Sequence, residues 1–124
     1  WLSKLPVSAV ECEGKTYYYI DSGQTYDQEM PKCLFLAGFD QLLLAHEKKE
    51  SLFLRPEHMR QIFNLAGIVM PALLMDGEVV GRWKKKNKKL SVMMFRAATQ
   101  REKNIISDAA GALWDDIASI TFDE

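Results

Sequence analysis

The chain is poor in the residues that build metal, disulfide or membrane architectures. Only Cys12, Cys33 and two histidines stand among 124 residues, and they form neither a CxxC pair nor a Cys/His cluster with structural-zinc spacing. No metal and no cofactor is therefore expected. The cysteines read as reduced, interior or partly buried thiols of a cytoplasmic protein, with a structural disulfide as the alternative. Charged residues interrupt every apolar run before it reaches membrane-spanning length, so no membrane partner is expected. The opening WLSKLPVSAV lacks the cationic-then-apolar order of a secretory leader. Position 1 is not Met, as in an excised domain or a processed product. No internal repeat or low-complexity linker divides the chain. A hydrophobic content of 48% and an aromatic content of 10% argue against a disordered tail. The length suits a single domain burying about two-thirds of its unfolded surface.

What is present is unevenly charged. From Arg82 to Lys89 there are six cations and no acid, whereas the rest of the chain carries 17 acidic and ten basic residues. The formal net charge of -1 thus hides a local basic tip on an acidic body. A turn at Lys86-Asn87-Lys88 would concentrate positive potential where a polyanion could reach it. Exposed lysines also solvate a turn or guard a sheet edge against pairing, and that plainer reading stands beside nucleic-acid contact. Trp83, next to the cations, could stack on a base or anchor the sheet.

Local patterns predict an α+β fold, a β-hairpin-rich antiparallel or mixed sheet with a short middle helix and a C-terminal covering helix. Asp76-Gly77 fits a two-residue hairpin turn, pairing Leu74 with Val79 and Leu73 with Val80. VSAVEC and TYYYI around Glu13-Gly14-Lys15 suggest an opening hairpin, with Tyr17 and Tyr19 on one face and Tyr18 and Ile20 on the other. Residues 21–31 read as a polar connector. CLFLAGFDQLLLA reads as sheet because Gly38 interrupts a helix, and Pro56 to Phe63 as a short helix with proline in its first turn. Met93 and Met94, with Val92 and Phe95, fit a strand and need no cofactor. Thr99 and Glu102 form a capping-box pattern, and Ile106, Ala110, Leu113 and Ile117 share one face of a helix extending to about residue 117. Gly111 lowers helicity there but permits close backbone packing. SITFDE then supplies an edge strand or a mobile acidic end.

FDQLLLAH at 39–46, Arg55-Pro56-Glu57-His58, Pro71 and DGEVVGRW at 76–83 together resemble the winged-helix DNA-binding protein family that includes AlkZ/YcaQ-type DNA glycosylases. The resembling stretch runs from about Leu34 to Phe95. The resemblance implies a C-terminal module of a larger protein whose partners are DNA, through its phosphate backbone, and the winged-helix domains of the parent chain. The enzymatic branch removes alkylated bases with a Gln-hydrophobic-Gln or Gln-hydrophobic-Asp pair in its N-terminal region. Neither form occurs here, since Gln24, Gln28, Gln41, Gln61 and Gln100 stand in other contexts. No catalytic residue is therefore assigned in this chain. Where family members often follow the matching His46 with Asp-Arg, this chain has Glu47, Lys48 and Lys49.

The expected DNA-binding set is Arg82, Trp83, Lys84, Lys85, Lys86, Lys88 and Lys89, contacting phosphates with little base specificity. Asp40, His46, Lys48 and Lys49 form a candidate secondary site. Asp40 could orient His46 or an arginine near DNA, or simply satisfy backbone amides at a bend. His58 reads as a surface or packing residue, and neither histidine has a nucleophile partner. Two functions follow: a DNA-binding or scaffold module related to alkylated-base glycosylases, or a non-enzymatic transcriptional regulator or interdomain packing module.

Overall fold

Four consecutive residues, Ala72 to Met75, are all buried, and the largest sheet is built around them. The computed structural model describes residues 6–25, 29–45 and 47–123. The chain divides into two compact units, residues 1–30 and 31–124.

The first unit is the expected hairpin. Strands β1 (Val7–Cys12) and β2 (Lys15–Ile20) pair antiparallel, from Val7 opposite Ile20 to Cys12 opposite Lys15. The turn is Glu13-Gly14 alone, both with positive φ, at 53° and 76°. That geometry twists a two-residue turn in the same sense as its strands. The described parts of 21–31 form no regular element.

The second unit is a five-stranded mixed sheet. Its strands are β3 (Cys33–Leu36), β4 (Ala72–Met75), β5 (Glu78–Lys86), β6 (Lys89–Met94) and β7 (Ser119–Asp123), in spatial order β3-β4-β5-β6-β7. From β3 to β6 each successive pair is antiparallel, and β7 lies parallel to β6. A parallel pair needs a crossover. Helix α3 (Gln100–Leu113) supplies it. Two short helices, α1 (Gln41–Leu44) and α2 (Met59–Ile62), precede β4, the latter continuing a 3-10 turn at Pro56–His58. The middle helix thus lies where Pro56 predicts its start.

Hydrophobic clusters occupy both faces of this sheet. Leu36, Leu43, Ile62, Phe63, Ala72, Leu74 and Val79 form one, under the short helices. Cys33, Leu73, Met75, Leu90, Val92, Met94, Ile106 and Ala110 form the other, under α3. Strand β4 contributes to both, which explains its unbroken apolar sequence. Strand β6 reads Lys-Leu-Ser-Val-Met-Met and alternates exposed with buried along its first four residues, so one of its faces lacks a cover.

Four local expectations need correction. Leu74 does pair with Val79, but Leu73 pairs with Gly81 instead of Val80, through a bulge. The extra residue, Val80, accepts a hydrogen bond at its carbonyl from the Phe95 amide, 2.9 Å. The bulge places Gly81 where a Cβ would strike the Met93 carbonyl oxygen, so glycine is required by space. QLLL is helical: β3 ends at Leu36, a turn follows at Gly38-Phe39, and the Asp40 carboxylate accepts from the Leu42 amide at 2.9 Å to start α1. Helix α3 begins with the full capping box but stops at Leu113, because Trp114 adopts an extended backbone (φ -131°, ψ 120°). Leu113 is consequently 56% exposed, while Ile117 packs on the core from beyond the helix. Gly111 faces open space, with no close backbone approach.

Candidate nucleic-acid interface

The basic tip owes its arrangement to strand register. Residues directly opposite one another in a sheet share a face, and Arg82 lies opposite Met93, Lys84 opposite Ser91, and Lys86 opposite Lys89. On β7, Ser119 and Thr121 pair with Lys89 and Ser91 and continue that face. The Thr121 hydroxyl contacts the Ser91 hydroxyl at 3.3 Å. The alternate positions, Trp83 and Leu90 with Val92, turn toward α3. One face of β5-β6-β7 therefore presents lysines and hydroxyls, and the other the core.

Lys84, Lys86, Lys88 and Lys89 are exposed, and none makes an ion pair among the described residues. The turn between β5 and β6 is held by Asn87 at a φ of 53°. Around it lies a shallow hollow of about 640 Å3, lined by these four lysines with Asn87, Ser91 and Ala118. A second hollow of about 250 Å3 continues along the same face between Met70, Arg82, Lys84, Ser91, Met93 and Asp123. Arg82 is half-buried. Its Nε and Nη2 donate to the Met93 Sδ at 3.2 and 3.0 Å, and its Nη1 to the Gln61 carbonyl at 3.4 Å. It has no carboxylate partner among the described residues.

Two members of the sequence-derived set sit elsewhere. Lys85 lies on the α3 side, where Nζ pairs with Asp116 at 3.1 Å and donates to the Asn87 carbonyl at 2.7 Å. Its charge is locally compensated. The Trp83 indole donates to the Leu36 carbonyl at 2.9 Å and packs edge-on against Phe35, with Trp114 at 5.2 Å. That environment suits an anchor of the sheet.

Asp40 caps α1, His46 lies outside the described residues, and Lys49 is exposed on a 3-10 turn. Lys48 places its ammonium 4.8 Å from the centroid of the Phe63 ring. His58 stacks on Phe95, with centroids 4.3 Å apart, and so acts in packing.

Among the described residues no group of three or more His, Cys, Asp and Glu side chains could hold a metal ion, and no helix is long and apolar enough to cross a membrane. Both cysteines are free; Cys12 is exposed, and burial pushes the Cys33 thiol up to about 11. The other marked shift belongs to the start of α3. The Arg96 hydrogen bonds, followed by the Thr99 amide, hold the Glu102 carboxyl down at about 2, and Glu102 in turn raises Arg96. These groups fix the start of the helix.

The hydroxyls of Ser91, Ser119 and Thr121 escaped the sequence reading. Ser91 was legible in principle from its period-two spacing with Lys89. The β7 residues were not, because nothing local announces a parallel strand pairing across a helix.

Comparison with known proteins then places the chain. The family model described as DNA glycosylase AlkZ-like matches residues 2–115, and the chain belongs to the AlkZ-like family. A protein of Streptomyces sahachiroi named interstrand DNA cross-link repair glycosylase is 40% identical over 60 residues, which make up 48% of this chain and 16% of that protein. The solved structure of the Streptomyces sahachiroi DNA glycosylase AlkZ superposes on 94% of this chain with a TM-score of 0.71 at 24% identity, and thereby shares its fold. The chain covers 33% of that structure.

Proposed function

We propose that this chain is a DNA-binding scaffold module of a larger base-excision protein, its C-terminal part, and that it holds duplex DNA by the phosphates. The observation that carries this reading is the common face shared by Arg82, Lys84, Lys86 and Lys89, with Lys88 at the adjoining turn. Membership of a DNA glycosylase family supports duplex DNA as the polyanion. Serine and threonine hydroxyls donate to phosphate oxygens and lysines pair with them, and neither kind of contact reads base identity. The partners in this reading are DNA and the winged-helix domains of the parent chain. Base excision belongs to those other domains, since this sequence lacks the Gln-hydrophobic-Gln and Gln-hydrophobic-Asp pairs.

The acidic remainder of the chain opposes nonspecific adhesion, and one small face engages few phosphates. Binding is therefore weak, insensitive to base sequence and steeply dependent on salt. Each lost phosphate contact flattens the plot of log affinity against log salt by about 0.9. A titration of duplex DNA at low salt, comparing the parent with a variant carrying Gln at Lys84, Lys86, Lys88 and Lys89, tests this. Loss of most binding with the fold intact is expected. Equal affinity of the two folded proteins would leave the basic turn as a solvated or protein-facing edge, in keeping with an interdomain packing module or a regulator.

A further inference from the structure

We infer that the turn at residues 64–68 is an apolar wedge that enters the base stack of a duplex lying on the lysine face. This rests on the DNA-contact reading and adds to it a deformation of the DNA. Leu65 at the tip of this turn is 90% exposed and Ile68 is 46% exposed. No charged residue occurs between positions 61 and 75, so the tip carries no charge of its own.

The turn is also held stiffly. The Asn64 side-chain oxygen accepts from the Ala66 and Ile68 amides at 3.0 and 2.9 Å. The Asn64 amide donates to the Ile68 carbonyl at 3.1 Å, and the Gly67 amide to the Asn64 carbonyl at 3.2 Å, with Gly67 at a φ of 79°. At its base, Phe63 and Val69 are buried and bridge antiparallel. A backbone fixed in this way loses little conformational freedom when its tip inserts.

Two cations contact the segment that leads into the turn. Lys48 sits over the ring of Phe63, and Arg82 donates to the carbonyl of Gln61; neither has a carboxylate partner among the described residues. Met70, just beyond the turn, lines the hollow that contains Arg82, Lys84 and Ser91. A protruding leucine, with two cations that lack carboxylate partners at the segment leading into its turn, matches what unstacking a base step requires. The apolar side chain fills the opened step while the cations hold the phosphates around it. Pyrimidine–purine steps, which unstack most readily, are the preferred point of entry. An apolar slot on another protein domain would explain Leu65 but leaves the two cations without a role.

The test uses the 124-residue chain and a short duplex carrying 2-aminopurine beside a single TA step. Fluorescence reports unstacking, and anisotropy of an end label reports binding, each across a salt series. The parent is expected to bind with rising 2-aminopurine fluorescence. Leu65→Ala should retain the salt dependence but lose the rise, and Leu65→Met should restore it. Leu65 is exposed, so both variants keep the fold, checked by thermal melting. Binding by the parent without a fluorescence rise, or an equal rise with Leu65→Ala, overturns the wedge while leaving the phosphate face standing. No duplex binding by the parent at low salt overturns both.

Discussion

Trp83 donates its indole N–H to the carbonyl oxygen of Leu36, 47 residues away, and so ties β5 to the end of β3. Between Phe35 and Trp114 the same ring closes one end of the core under α3. Trp83→Phe keeps a ring there but removes the donor, and should cost about 1 to 2 kcal/mol in urea denaturation. Duplex affinity should be unchanged. A fall in affinity comparable to that of Lys84→Gln, without loss of stability, would instead make the indole a base-stacking group.

Gly81→Ala should be among the most damaging single-methyl changes in the chain. The added carbon meets the Met93 carbonyl and comes within 3.1 Å of the Met94 Cα, and backbone in a paired strand has little room to yield. A loss of about 1 to 3 kcal/mol is expected for such overpacking. Chemical denaturation measures it, and a neutral result would mean that the bulge at Val80 can relax.

Lys84 and Lys85 are adjacent in sequence and should behave differently. Lys84→Gln removes an exposed cation of the open face and should weaken duplex binding while leaving stability within about 0.5 kcal/mol. Lys85→Gln breaks the pair with Asp116 on the opposite face, and should cost stability up to about 1 kcal/mol with little effect on DNA. Paired anisotropy and denaturation measurements separate the two; equal effects on binding would dissolve the two-faced arrangement.

The start of α3 should be sensitive to acid. The folded carboxyl of Glu102 lies at about 2 against an ordinary 4.5, so its stabilisation is fully present above the ordinary value and disappears as pH falls toward the folded one. The stability difference between the parent and Glu102→Gln should therefore shrink steadily below a pH of about 4.5. Thr99→Ala, which removes the other half of the capping box, should cost about 1 kcal/mol at neutral pH. Denaturation curves at a series of pH values check both, and a constant difference between parent and Glu102→Gln would mean that the pair with Arg96 contributes nothing.

The two thiols should separate cleanly on alkylation. Cys12 is exposed, whereas Cys33 is buried at 6% exposure with its thiol raised to about 11. The thiolate is the reacting form, so iodoacetamide near neutral pH should modify Cys12 in the folded chain and Cys33 only after unfolding. Mass spectrometry of digests resolves the sites, and equal labelling of both in the native protein would show that β3 opens readily.

Much of the fold was determined by the sequence because its signals are local. Asp76-Gly77 and Glu13-Gly14 specify hairpins through backbone conformations that few other residue pairs adopt. Thr99 and Glu102 start a helix by satisfying its first amides, and the alternation of Lys89 to Val92 marks a strand covered on one side. The concentration of cations between Arg82 and Lys89 is likewise plain in the sequence. Tertiary structure alone decided which of these cations share a face, because a single residue of register exchanges the sides of a strand. The bulge at Val80, the parallel docking of β7 and the end of α3 at Trp114 all depend on contacts between residues remote in sequence. Those contacts turn Lys85 and Trp83 toward the core side, and leave Lys84, Lys86 and Lys89 beside the hydroxyls of Ser91 and Thr121.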